Sequence, residues 1–158
     1  MAKSSPAPAD LYAELRLSHD RQRELCSTLV AKRTQPGSRR DALSALRLEL
    51  ESHAAAEERH LYVPMMMLDA GLSISRHALA EHHEIEELTA EVGKHAPSSD
   101  AFLTAAHALV KEVRHHLKEE EKAFFQLSGR LLTDRHKTQL ASRYRREKAR
   151  MERVLAPS

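Results

Sequence analysis

In four separate segments of this chain, a row of apolar residues at helical spacing runs straight into a histidine. Leu11 and Leu15 lead to His19, with Gln22, Cys26 and Leu29 following. Leu43, Leu46 and Leu50 lead to His53, and Leu79 leads to His82, flanked by Ala78, Ile85 and Thr89. Phe102, Ala106, Leu109 and Val113 lead to His116 before Phe124 and Leu127 resume the row. Residues three and four apart share a helical face. Each row therefore predicts an amphipathic helix with an imidazole on its buried side. Polar rings among apolar side chains are destabilising unless something partners them, so a stable fold must bring these histidines together.

The punctuation agrees with helices. Asp10 is a plausible N-cap for a helix to about Arg33, and Gln35-Pro36-Gly37-Ser38 is a break. A second helix is expected from about Ser38 to Tyr62, ended or followed by a short turn at Pro64. Gly71 marks a turn, and Ser73 or Ser75 can cap a third helix ending near Gly93. The loop Ala96-Pro97-Ser98-Ser99-Asp100 precedes a fourth helix to about Leu127, and Gly129 and Thr133-Asp134 separate a last one. Long helices with short connections predict an all-α fold, an antiparallel up-down four-helix bundle with an additional C-terminal helix packed across one end. The expected organisation is a disordered lead-in at 1–9, the bundle at 10–128 and a basic helix at 129–158 packed on it.

Charge and composition narrow the function. The net charge of +2 excludes a whole-molecule polyanion binder, and 4% aromatics without Trp argues against base stacking on nucleic acid. One cysteine, Cys26, excludes an internal disulfide and is expected to be an inert buried thiol. No apolar run is long enough to cross a membrane, and the chain is expected to be cytoplasmic. Residues from Arg130 onward carry nine Lys/Arg against three Asp/Glu. That stretch is read as a solvated helix face, with an acidic protein or a second copy of the chain as partner candidates. Met65-Met66-Met67 after Pro64 reads as packing at a helix end.

Eleven histidines in 158 residues is the compositional anomaly, and six of them have Glu four positions later. Placement on the apolar rows selects three of those pairs, His53/Glu57, His82/Glu86 and His116/Glu120, together with His19. His77, His83, His95, His107, His115 and His136 are read as solvated. His60 is left as a partner of a ligand or an extra ligand. Glu58 and Glu121 each directly follow a proposed ligand and are read as surface groups or ligand partners. Four imidazoles and three carboxylates inside a bundle are tolerable if they hold cations, which take neutral imidazole and ionised carboxylate. The set is too large for one tetrahedral zinc and suits two octahedral ions with positions open for a small ligand. Iron is favoured, ahead of manganese and zinc.

The ordered set resembles the hemerythrin-like HHE cation-binding family over roughly residues 10–128. It comprises Ser18-His19-Asp20, His53-x-x-x-Glu57-Glu58 followed by Leu61-Tyr62-Val63-Pro64, Glu81-His82-His83-Glu84-Ile85-Glu86, and His116-x-x-x-Glu120-Glu121 followed by Phe124-Phe125. The resemblance implies a four-helix bundle with an oxo- or hydroxo-bridged non-haem di-iron centre. Glu57 and Glu120 would match the bridging carboxylates, and the histidines the terminal ligands. The oxygen carriers of the family have a second His where this chain has Glu86. They have His-x-x-x-x-Asp where this chain has His116-x-x-x-Glu120, with Glu121 at the carrier's spacing. An added carboxylate stabilises the ferric state. The expected activity is therefore peroxide, O2 or NO chemistry, such as a catalase-like or stress-defence reaction, rather than reversible carriage. The alternative is a sensor of oxygen, NO, redox state or iron that signals through the basic C-terminal helix without turnover.

Overall fold

A computed structural model describes residues 10–157. The expected lead-in at 1–9 lies outside the described residues. Among those described, every element is helical and there is no strand. Helix α1 spans Leu11–Val30, with the Asp10 carboxylate accepting from the Tyr12 and Ala13 amides. Helix α2 spans Pro36–Glu57 and continues through a π-helical turn, Glu58–Tyr62, into Val63–Met66. Helix α3 spans Asp69–Gly93. Helix α4 spans Asp100–Glu119 and continues through a second π-helical turn, Glu120–Phe124, into Phe125–Leu131. Helix α5 spans Asp134–Leu155, with the Thr133 hydroxyl accepting from the His136 amide.

One boundary follows the second of the two outcomes expected at Pro64, and another differs from the sequence reading. Pro64 starts a short further turn, Val63–Met66, where its missing N–H falls in the first turn after the π segment and the helix tolerates it. Gly71 is inside the first turn of α3 rather than in a loop. A Cβ there would sit 2.3 Å from the Met65 carbonyl oxygen, so glycine is what lets α3 start tight against the end of α2.

The first four helices alternate in direction around two apolar clusters. One cluster joins Leu25, Leu29, Leu46, Leu50, Val92, Phe102, Leu109 and Val113. The other joins Leu11, Leu15, Leu61, Met65, Phe124 and Phe125 with Leu140 and Tyr144 of α5. His19, His53, His82 and His116 fall at the level between them, midway along each helix. Cys26 is buried in the first cluster, and burial raises its thiol to about 11, so it stays protonated. Met65 is buried and Met67 is exposed. Helix α5 does not cross an end of the bundle. It runs along the outer groove between α1 and α2, because its buried stripe of Leu140, Ala141 and Tyr144 matches that groove lengthwise. Salt bridges from Arg145 to Glu14, Lys148 to Glu49 and Arg59 to Glu147 border it.

Candidate metal centre

The level between the apolar clusters holds six ionisable side chains from four helices. His19 comes from α1, His53 and Glu57 from α2, His82 from α3, and His116 and Glu120 from the α4 segment. They form two overlapping quartets, His19/His53/Glu57/Glu120 and Glu57/His82/His116/Glu120, each with one donor atom per residue within 4.8 Å of the others. Glu57 and Glu120 belong to both. The four imidazoles present Nε2 to the carboxylates: His53 lies 3.0 Å from Glu57, His82 3.4 Å from Glu57, His19 3.2 Å from Glu120 and His116 3.6 Å from Glu120.

Each Nδ1 is held from outside the group. Glu121 Oε1 is 2.8 Å from His19, the Tyr144 hydroxyl 2.7 Å from His53, Glu58 Oε1 2.9 Å from His82, and Glu81 Oε1 3.1 Å from His116. Such partners fix the ring plane and aim Nε2 at the centre. Tyr62, fully buried, points its hydroxyl into the same space. It lies 3.0 Å from Glu57 Oε2 and 3.3 Å from His82 Nε2, and contacts Glu120 Oε2.

Charge among the side chains of this layer is paired. Burial opposes the imidazolium of His82, but the Glu57 and Glu58 carboxylates outweigh it and raise it to about 10. Burial likewise opposes protonation of His19, and Glu120 and Glu121 outweigh it, raising it to about 9. Burial lowers His53 and leaves it neutral. Burial opposes ionisation of Glu57, but His53 and His82 overcome it and hold the carboxyl well below its usual range. Burial, reinforced by Glu120 and Glu57, pushes the Tyr62 phenol well above its ordinary value. Protonated imidazoles thus stand where a cation's charge would be.

The layer is nonetheless not internally satisfied. His19 Nε2, His53 Nε2, Glu57 Oε1 and Glu120 Oε1 are buried without a well-directed hydrogen bond, although His19 Nε2 faces Glu120 Oε1 at 3.2 Å and His53 Nε2 faces Glu57 Oε2 at 3.0 Å. A buried unsatisfied polar atom costs about 1–3 kcal/mol. All four belong to one quartet and all four are metal-ligand atoms, so the donor set fits a cation.

Of the residues expected from sequence, six converge and Glu86 does not. Its side chain is 76% exposed and sits 4.0 Å from His83. The inward face of α3 steps from Ala78 to His82 to Ile85 to Thr89, so Ile85 takes the direction that Glu86 needed. His77, His83, His107, His115 and His136 are exposed and His95 is half-buried. His60 lies in a basic surface groove with Arg59, Arg143 and Arg146, away from the centre. Glu81, paired in sequence with the solvated His77, turns inward to His116. The sequence reading did not identify Tyr62, Tyr144 or Glu81. One overlooked signal was an aromatic five residues after each shared carboxylate, Tyr62 after Glu57 and Phe125 after Glu120.

A cleft of about 480 Å³ between α2 and α3 leads from solvent to this layer. His53, His82 and His116 line its floor, Leu50, Leu79 and Ile85 its walls, and Glu51, Glu58 and Glu86 are among its acidic lining. A pocket with apolar walls and convergent polar groups at its base suits a small ligand.

The sequence model of the hemerythrin HHE cation-binding domain matches residues 10–128, three-quarters of the chain. The chain belongs to that family. Neither the curated proteins nor the solved structures gave a match. Hemerythrin domains bind metal ions, usually iron, and small ligands such as O2. The match stops before α5, which lies outside the matched residues while reaching the centre through Tyr144. Among the described residues no helix is long and apolar enough to cross a membrane.

Proposed function

We propose that His19, His53, Glu57, His82, His116 and Glu120 hold two iron ions, with Glu57 and Glu120 serving both, and that the centre reacts with peroxide, O2 or NO. The carrying observation is the pair of overlapping buried His/Glu quartets, with four ligand atoms that lack a well-directed hydrogen bond, beside a cleft that opens on three of the imidazoles. Bound iron would supply Lewis acidity and a change of redox state. The chain supplies the rest. Glu121, Tyr144, Glu58 and Glu81 fix the imidazoles, the apolar clusters on either side keep the layer dry, and the cleft admits a small molecule. The Tyr62 hydroxyl holds a proton between Glu57 and Glu120, where a ligand entering the layer would meet it.

Two measurements test this reading. Elemental analysis and anaerobic titration with ferrous ion should give two irons per chain, and a folded protein that remains empty overturns it. Peroxide added to the loaded protein should then evolve gas over many turnovers. Stoichiometric bleaching without turnover favours a second reading, a sensor. The observation behind that reading is the direct bond from α5 to His53, by which a change at the centre reaches the surface helix.

A further inference from the structure

The four imidazoles are not backed alike. In the quartet of α3 and α4, His82 is backed by Glu58 at 2.9 Å and His116 by Glu81 at 3.1 Å, both carboxylates. In the quartet of α1 and α2, His19 is backed by Glu121 at 2.8 Å, but His53 is backed by a phenol, Tyr144, at 2.7 Å. That phenol is the one backing group that comes from outside the residues matching the family.

The chemistry of the two kinds of partner differs. An imidazole whose Nε2 binds a cation carries its proton on Nδ1 and donates it outward. A carboxylate accepts that proton in a charge-assisted bond and raises the basicity of Nε2. A phenol, neutral at ordinary pH, accepts it in a weaker bond and raises it less. Tyr144 is nevertheless rigidly placed. It is 2% exposed and lies beside Ser18, whose hydroxyl donates to Glu49 Oε1 at 2.6 Å. Lys148, also on α5, reaches the same Glu49 oxygen at 3.0 Å.

We infer that the two cation positions are unequal: the His19/His53 position is the weaker, and Tyr144 is the positioning residue through which α5 sets its affinity. This rests on the proposal that both quartets hold cations. It adds that the helix beyond the HHE bundle controls one of them selectively.

The test is anaerobic Co2+ titration of the full-length metal-free protein, followed by absorption and calorimetry. The wild-type protein should take up two equivalents in two unequal steps. Tyr144→Phe keeps the ring and removes only the hydroxyl, leaving the His53 N–H buried without a partner. The tighter equivalent should be unchanged and the weaker one about 10–100-fold weaker. In the proton NMR spectrum of the Co2+-loaded protein, one shifted, exchangeable imidazole N–H resonance should be lost to solvent exchange. Glu58→Gln, which replaces a charged partner with a neutral one in the other quartet, should weaken the tighter equivalent instead. Wild-type affinity for both equivalents in Tyr144→Phe overturns the inference, as does equal weakening of both, which a merely structural role would produce. If Glu58→Gln weakens the looser equivalent, the assignment of positions is overturned. If the wild-type protein binds no Co2+ or Fe2+, it is the metal centre itself that fails.

Discussion

Three helices carry a His-x-x-x-Glu pair on an apolar face, yet only two of them deliver both members to the centre. In α2 and α4, the pairs His53/Glu57 and His116/Glu120 are fully inside, and each runs into a π-helical turn. In α3, His82 is inside and Glu86 is out, with no π turn following it. An α-helix turns about 100° per residue, so a four-residue step drifts about 40° off the buried line. Helix α3 corrects the drift by stepping three residues to Ile85, which leaves Glu86 at the mouth of the cleft. Helices α2 and α4 instead keep the carboxylate in and reset the face afterwards. The Val63 amide reaches back to the Glu58 carbonyl, and the Phe125 amide to the Glu120 carbonyl. The extra residue lets Leu61, Tyr62, Phe124 and Phe125 stay buried behind the carboxylates. Such turns concentrate at functional sites. What α3 contributes in place of a ligand carboxylate is Glu81, which backs His116 on the neighbouring helix.

The largest effect separates the two kinds of pair. Glu57→Ala removes an oxygen donor shared by both quartets and should abolish nearly all metal binding by elemental analysis. Glu86→Ala should leave metal content at the wild-type value. If Glu86→Ala loses iron as well, the α3 register described above is wrong, and the pattern, not the π turn, decides which carboxylates enter.

The same contrast shows what the sequence could reveal. Helix number, direction and the level of the four histidines follow from apolar rows at helical spacing, a property local to each segment. Glu57 and Glu120 were legible because each continues the apolar row that carries its histidine, and beyond Glu120 the row resumes at Phe124 and Leu127. Glu86 was misread because a four-residue spacing places two residues near one another without saying which lies at the edge of the buried arc. Ile85 competes for the same direction, and burying an isoleucine is more favourable than burying a carboxylate. Glu81 was missed for the converse reason. Its partner is on another helix, so no spacing within α3 announces it. Tyr144 is further still, 91 residues from His53. The groove position of α5 that connects them depends on how its stripe fits α1 and α2.

Glu81 gives the next test. Glu81→Gln keeps the size and exchanges a charged acceptor for a neutral one at His116 Nδ1. Metal affinity should fall by about tenfold, read by competition with a chromophoric chelator. His115, 55% exposed and 3.5 Å from Glu81 Oε2, serves as the control. His115→Ala should change affinity by less than about twofold. Equal losses in the two variants would mean that Glu81 acts through surface charge rather than by holding His116.

The smallest effect is a pH dependence that contrasts α2 with α3 in the metal-free protein. His53, lowered by burial, is neutral across the physiological range and contributes no change there. His82 and His19 are raised to about 10 and about 9, against an unfolded value of 6.5. A raised histidine binds its proton more tightly when folded, so its stabilisation is complete below pH 6.5. It is then lost as pH climbs through 9 and 10, when Glu57 and Glu120 lose their cationic neighbours. The chelated protein should therefore melt several degrees lower at pH 10 than at pH 6.5. The metal-loaded protein should be flatter over the same range, because its imidazoles are already deprotonated and the cations supply the charge. Cation uptake at pH 7 should accordingly release close to two protons, measurable by calorimetry in buffers of different ionisation enthalpy. A metal-free protein that becomes more stable from pH 6.5 to pH 10 would contradict this assignment, because it requires the unfolded chain to bind more protons than the folded one over that range.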